Sequence, residues 1–438
     1  MRRIVLQAPS FSALGLFLLA CASGSCDGFS QTRSASEGKR EPVPEGDWPH
    51  WRGPHFDGVS RETGLLKEWP EGGPRVLWKV ELSGGYSSIA LAGGRLYTHT
   101  AKNKKEEIVL CLEAATGKEL WRYTYPCDYD RQVTLGDRYD SGPRATPAVE
   151  GGRIYTIGTT GTVLCLEAAT GKVVWRRELL EIAGRSCPRQ GYCASPLVIG
   201  DLLFVHPGGH KGNSVAALNK TDGKLAWQAL DDAISHSSPI RVDFQGTPQV
   251  VFLTANSLAG FAPKDGKLLW RYDLGRADGG PDGIMLPAAT PVYADGRFFL
   301  SSNLMAGMLL RLKDKRPPEK VWTSSMRNPF ATSVLYEGHL YGFSGSRLRC
   351  AAWINGRAIW DESGLGKGAV ALADGCLIVL TEAGELYLAE ATPKGYRQKG
   401  RCQPMDGPCL TAPVVAGGRL FLRNEYLLMA LELKGGRR

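Results

Sequence analysis

The stretch Leu112-Glu-Ala-Ala-Thr-Gly-Lys-Glu-Leu-Trp121 returns almost letter for letter as Leu166-Glu-Ala-Ala-Thr-Gly-Lys-Val-Val-Trp175. Looser copies stand at Leu218–Trp227 (LNKTDGKLAW), Phe261–Trp270 (FAPKDGKLLW) and Ala351–Trp360 (AAWINGRAIW). Self-similarity at a near-fixed period of tens of residues marks an array of one supersecondary unit. Apolar residues alternate up to the phrase, the Thr-Gly or Asp-Gly pair supplies a tight turn, and an apolar run resumes at the Trp. That pattern predicts a hairpin. A Trp recurring at one place in the second strand is read as a large apolar anchor between repeats, not as a ligand contact. The anchors expected are Trp78, Trp121, Trp175, Trp227, Trp270, Trp322 and Trp360.

A second phrase precedes each copy of the first, as in Ala145-Thr-Pro-Ala-Val-Glu-Gly-Gly-Arg-Ile-Tyr155 and Ala194-Ser-Pro-Leu-Val-Ile-Gly-Asp-Leu-Leu-Phe204. Further forms begin at Ser87, Ser237, Ala289, Ala331, Ala369 and Thr411, eight in all, each reading strand, Gly turn, strand. Two hairpins in each of eight repeats, at about 46 residues per repeat, predict an all-β fold: an eight-bladed β-propeller of four-stranded antiparallel blades. The last repeat stops before its Trp strand, and the missing strand stands at the other end as Arg75–Leu82 (RVLWKVEL). An N-terminal strand completing the last blade would seal the ring and remove exposed sheet edges. Repeat seven, Tyr387–Arg397, has no Trp, and Tyr396 is the expected substitute.

Taken in order, residues 1–22 read as a signal peptide: Arg2 and Arg3, an apolar stretch from Ala13 to Ala20, then small residues. Ordinary cleavage near Ala22 and a lipoprotein box, Leu18-Leu-Ala-Cys21, are both open, the second placing a lipid on Cys21. Residues 23–46 are rich in Ser, Gly, Glu and Pro and read as a disordered linker. Residues 47–73 carry Trp48, Trp51, Phe56 and Trp69 with little periodicity, so they are expected to form an extended arm packed on the propeller of residues 74–438.

The formal charge of +9 falls to +7 once Arg2 and Arg3 leave. The basic residues are scattered, without a nucleic-acid module, which argues against nucleic-acid binding. A mildly basic surface favours anionic partners such as acidic glycans or lipid headgroups.

Long insertions, above all Tyr123–Arg144, Arg177–Tyr192 and Asp273–Pro287, are expected on one face of the ring, where binding loops collect. Just before the first strands stand Tyr86, Arg144, Tyr192, His236, Asn328 and Lys367, which repeat symmetry brings toward the channel mouth as a polar, partly cationic pocket. Plain solvated channel residues are the alternative. Cys111, Cys165, Cys350 and Cys376 occupy strand positions and read as buried thiols. The short loops Cys187–Cys193 and Cys402–Cys409 are expected to close as disulfides in an oxidising compartment, with free thiols as the alternative. Cys127 has no evident partner. His206 and His210 lack a third ligand, and Asp128, Asp130, Asp137 and Asp140 lack an ordered calcium-loop pattern, so no metal site is assigned.

The repeats, with GGRLY and GGRIY before LEAATGKELW and LEAATGKVVW, resemble the pyrroloquinoline-quinone-type (PQQ-like) repeats of eight-bladed quinoprotein propellers, and those of the non-catalytic propeller lipoproteins that assist outer-membrane protein assembly. The segments WRGP, DGVSRETGL, GYSS, YDSGPRATP and GYCASP resemble exported PQQ-like propeller proteins of planctomycete-type bacteria. The resemblance covers nearly everything from Asp47 to Leu433. It implies the fold and leaves activity open. Alcohol-type quinoprotein dehydrogenases hold PQQ between a Trp floor and adjacent cysteines, with calcium on Glu, Asn and Asp. No adjacent cysteine pair and no Cys-x-x-Cys-His haem site occur in this sequence. The reading favoured is a monomeric, non-catalytic scaffold of the periplasm or cell envelope, binding an envelope protein, peptide or glycan on its loop-rich face. The alternative is a PQQ- and calcium-dependent dehydrogenase of alcohols or sugars.

Overall fold

The computed structural model describes residues 43–434, except 128–141, 189, 276–286, 304 and 315. The signal peptide with Cys21, nearly all of the linker, and Asp128, Asp130, Asp137 and Asp140 lie outside the described residues. Among those described, no helix is long and apolar enough to cross a membrane.

The described strands form eight sheets, seven of four strands and one of five. Blade 1 runs outward through Ala90–Ala92, Arg95–Lys102, Glu106–Glu113 and Glu119–Pro126, all antiparallel. Blades 2 to 7 repeat this order, with innermost strands at Ala148–Glu150, Leu197–Ile199, Ile240–Phe244, Val292–Ala294, Val334–Tyr336 and Gly368–Ala373. Blade 8 takes three strands from Val414–Ala416, Arg419–Arg423 and Leu427–Glu432, and its outer strand, Val76–Glu81, from the other end of the sequence. The second strands are buried along most of their length because both faces are covered by neighbouring blades, and the outer strands alternate.

The two repeated phrases meet in one contact. The Trp121 indole lies on the turn of blade 2, where a Cβ at Gly171 would fall 2.5 Å from its ring. Its Nε1–H donates to the Ala168 carbonyl at 3.1 Å. Trp78 over Gly117, Trp175 over Gly223, Trp227 over Gly266 and Trp322 over Gly356 repeat the arrangement. Each of these donates Nε1–H to a carbonyl at or near the same turn, 2.8–3.1 Å away. The aromatic residue that ends the second phrase supports the Trp of its own blade from inside: Tyr97 with Trp121 at 6.1 Å, Tyr155 with Trp175 at 6.2 Å and Phe421 with Trp78 at 6.0 Å. The turn residue is glycine because its φ of about +70° disfavours side chains and because the indole fills the space of a Cβ.

Two blades depart from this rule. Blade 5 has Lys313-Asp314-Lys315 where the others carry the Gly turn, and Trp270 donates within its own blade to Gln249 Oε1 at 2.6 Å. In blade 7 the expected substitute Tyr396 packs back on Trp360, 6.1 Å away, on the side of blade 6. The gap between blades 7 and 8 is filled instead by Trp69 of the arm, which is buried with Leu386, Leu388, Leu420 and Leu431. Gly400 is the glycine beneath it.

The arm crosses the face that carries the turns following the first strands. Trp48 bridges to Leu91 of blade 1, and the Pro49 carbonyl accepts from Val149 of blade 2. Arg52 donates to the Thr332 and Ser333 carbonyls of blade 6, and Val59–Ser60 pairs parallel with the innermost strand of blade 7. The Glu62 carboxylate accepts from the backbone N–H groups of Gly417 and Gly418 in blade 8. Blades 8 and 1 are also pinned by Arg423, which is fully buried and donates to the carbonyls of Gly84, Gly85, Ser87 and His99 and to Thr98 Oγ1.

The expected disulfides are not formed: Cys187, Cys193, Cys402 and Cys409 are free thiols. Each sulfur is held elsewhere. Cys187 Sγ points to the Thr159 carbonyl, Cys193 Sγ to the Gln190 carbonyl, Cys409 Sγ to the Asp406 carbonyl, and Cys402 Sγ packs against Gly73.

Two outcomes test this account. Gly152 and Gly171 share a φ near +72°, but a Cβ at Gly152 meets nothing within 4 Å. Gly152→Ala should therefore cost about 1 kcal/mol of backbone strain, and Gly171→Ala about 2–4 kcal/mol because Trp121 must also move; equal losses in urea melts would remove the docking role. Arg423→Met leaves buried carbonyls unsatisfied and should cost about 3–5 kcal/mol, with hydrogen exchange accelerated first in Val76–Glu81 and Leu427–Glu432.

Candidate functional site

Where the chain enters the first strands, the channel opens into a cavity of about 370 Å³. Its walls come mainly from the extended segments that lead into seven of the eight blades, blade 7 adding nothing to the described lining, and several of these segments are read at every second residue. Tyr86 and Ser88, Cys193 and Ser195, His236 and Ser238, and Ala288 and Thr290 all line it, with Arg144, Phe330, Leu410 and Thr411. Alternate residues of an extended chain face the same side, so one residue and the next but one enter together. The lower layer is a belt of hydroxyls tied across blades. Thr146 N–H donates to Ser195 Oγ, Ser195 N–H to Ser238 Oγ and Thr290 N–H to Thr332 Oγ1, at 2.8–2.9 Å. Trp51 of the arm reaches the cavity from below and donates Nε1–H to Thr290 Oγ1 at 3.0 Å, which gives the cavity an aromatic floor.

Three of the six mouth residues expected from sequence line this cavity: Tyr86, Arg144 and His236. Tyr86 is buried and donates its hydroxyl to Glu425 at 3.0 Å, and Arg144 donates to the Gln190 carbonyl at 3.1 Å. The other three do not line it. Tyr192 is 2% exposed, packs with Leu179 and Ile234 and donates to the Pro207 carbonyl. Asn328 is 1% exposed and ties Ser333 to the Phe343 carbonyl. Lys367 is exposed, with its ammonium 5.7 Å from the centre of the Phe330 ring.

For Tyr192 and Asn328 the reason is a slip in register. Arg144, Cys193 and His236 each immediately precede the pair Ala145-Thr146, Ala194-Ser195 or Ser237-Ser238, and Phe330 precedes Ala331-Thr332. The equivalents of Arg144 are therefore Cys193 and Phe330, not Tyr192 and Asn328. The recurring Ser or Thr, usually ahead of a Pro, was the signal that fixes this alignment.

Cys193 thus stands between Arg144 and His236 of the flanking blades. Burial would raise its thiol, but the nearby His236 and Arg144 charges and their hydrogen bonds outweigh this and bring it down to about 7. The other described cysteines all move the opposite way under burial, Cys111, Cys165, Cys350 and Cys402 to about 11 and Cys127, Cys187 and Cys409 to about 12. His236 Nε2 is buried and has no hydrogen-bond partner.

Outside the cavity, His206 is buried with both ring nitrogens unpartnered and is pushed down to about 4 by burial, while His210 is exposed. A second polar cluster is closed from solvent: Tyr125 donates to Glu107, stands 3.2 Å from His99 Nε2, and the Thr159 N–H donates to Glu107 Oε1 at 2.8 Å. With Glu107 and His99 fully buried it joins blades 1 and 2 and offers no access to a ligand.

The cavity does not fit PQQ with calcium. Trp51 offers a flat floor, but the described lining holds no carboxylate for a hard cation and one cysteine where the dehydrogenases carry an adjacent pair. Among the described residues no group of three His, Cys, Asp or Glu is placed to hold a metal.

Residues 105–362 match the family model described as outer membrane protein assembly factor BamB. The BamB protein of Shewanella oneidensis is 25% identical over 247 residues, covering 52% of this chain and 58% of that protein. The BamB protein of Yersinia pestis is 22% identical over 370 residues, covering 80% of this chain and 86% of that protein. The crystal structure of quinohemoprotein alcohol dehydrogenase from Comamonas testosteroni superposes with a TM-score of 0.64 at 12% identity, over 90% of this chain and 81% of that one, a likeness of fold alone. With more than half of its length matched by the family model, and with eight PQQ-like blades closed by an N-terminal strand, the chain belongs to the BamB family of outer membrane protein assembly factors.

Proposed function

We propose that the protein is an exported, non-catalytic scaffold of the cell envelope that holds an acidic segment of a partner in its mouth cavity. The observation that carries the reading is the make-up of that cavity. Arg144 and His236 stand at its rim above an aromatic floor and a hydroxyl belt, and no carboxylate is found in the described lining. Such a surface favours a carboxylate with an apolar or sugar-like body: the charge meets Arg144 and His236, and the body lies on Trp51 and Phe330. Because Trp51 of the arm floors the cavity, a ligand enters from the opposite side. Membership of a family described as an outer membrane protein assembly factor supports an envelope protein as the partner. An acidic glycan presents the same chemistry.

The test is calorimetric titration with an acidic peptide, its amidated counterpart and an oligogalacturonate. The acidic ligands should bind, and Arg144→Ala should weaken them by about tenfold or more, the value of a hydrogen bond to a charged group. Equal binding of the amidated peptide would overturn the reading. Addition of PQQ with calcium should give neither saturable uptake nor a rise in melting temperature; uptake of both would restore the dehydrogenase alternative.

A further inference from the structure

We propose that Cys193 makes the mouth cavity a covalent capture site for a small anionic disulfide. The observation is a juxtaposition the repeat imposes. Equivalent positions of three consecutive blades carry Arg144, Cys193 and His236, so one thiol is flanked on both sides by groups that carry or accept a proton. All three are partly exposed and line one cavity that also offers the Trp51 and Phe330 rings. A thiolate is the nucleophile in exchange with a disulfide, and its rate depends on how much thiolate is present, on access and on the charge of the approaching reagent. Cys193 meets all three conditions. Burial alone would hold the thiol protonated, and the flanking His236 and Arg144 reverse that. Among the described residues, the charged and titratable groups facing the cavity beside Cys193 are Arg144, His236 and Tyr86, with Glu425 engaged by the Tyr86 hydroxyl and Lys367 outside, over Phe330.

The step balances without an outside oxidant. The Cys193 thiolate attacks one sulfur of the disulfide, a new S–S bond joins that half to Cys193, the original S–S bond breaks, and the other half leaves as a thiolate carrying the electron pair. Arg144 pairs with a carboxylate of the incoming disulfide, and the ring faces hold its apolar part. The inference does not depend on a protein partner docking at the same mouth, because it concerns a small ligand and a covalent product.

The experiment exposes the full chain to dithiobis(nitrobenzoate), a dianionic aromatic disulfide, and in parallel to the neutral dithiodipyridine, following the released chromophore and locating the labelled cysteine by peptide mass spectrometry. The expected result is fast, saturable labelling at Cys193, with a rate that rises with pH around a midpoint near 7 and saturation with the dianion only. Cys193→Ser should abolish the fast phase. Arg144→Gln should remove the preference for the dianion, and His236→Gln should move the midpoint upward by about one pH unit while leaving the fold intact by circular dichroism. A fast phase at another cysteine, or a Cys193 midpoint at the ordinary thiol value of about 8.5, would overturn the proposal. Loss of acidic-peptide binding with the fast phase retained would count against the scaffold reading only.

Discussion

The ring rests on an indole lying on a glycine. Trp78, Trp121, Trp175, Trp227 and Trp322 each cover the turn of the next blade and donate their N–H to a carbonyl there, as Trp121 does over Gly171 to Ala168. Three requirements are met by one contact: a large apolar surface is buried, a buried donor is satisfied, and the distance between blades is fixed. The two repeated phrases are its two halves, which is why they stay so similar. Where one half is missing, the structure supplies a replacement, Gln249 for the Trp270 N–H and Trp69 for the absent Trp of blade 7.

Closure raises a different problem, because the last blade meets the first without a covalent connection between them. The outer strand Val76–Glu81 solves it by pairing with Leu427–Glu432. Arg423 adds a second tie, its guanidinium spending its donors on carbonyls of the segment that enters blade 1. The arm adds a third and gives the channel a floor. Trp51 is therefore structural and part of the cavity at once, since the strap that braces the ring also presents an aromatic ring to whatever enters from the mouth.

The chemistry of the cavity follows from repeat symmetry with divergent side chains. The backbone places an equivalent residue of seven blades around the cavity, and the sequence writes a different group at each: phenol, guanidinium, thiol, imidazole, methyl, benzyl and isobutyl. A guanidinium and an imidazole therefore flank one thiol.

Much of this was legible in the sequence. Blade number, strand order, the anchoring Trp residues and ring closure follow from periodicity, because turn glycines and alternating apolar residues act locally and repeat. The mouth was only half legible. Tyr86, Arg144 and His236 were found by position, while Tyr192 was set one residue from Cys193, an error that turns a side chain to the other face of an extended segment, and Asn328 was set two residues from Phe330 and is tied into the blade by Ser333 and the Phe343 carbonyl. The cysteine pairs show the same limit: spacing brings Cys187 near Cys193 in sequence, but the directions of their sulfurs are set by the carbonyls around them. The sequence by itself determined the repeating unit and how many there are, since those depend on neighbours along the chain. Tertiary structure alone decided which residues share a cavity, that Trp69 fills a blade gap and Trp51 floors the channel, and that one of nine described cysteines sits between an arginine and a histidine, because those depend on directions in space that no spacing encodes.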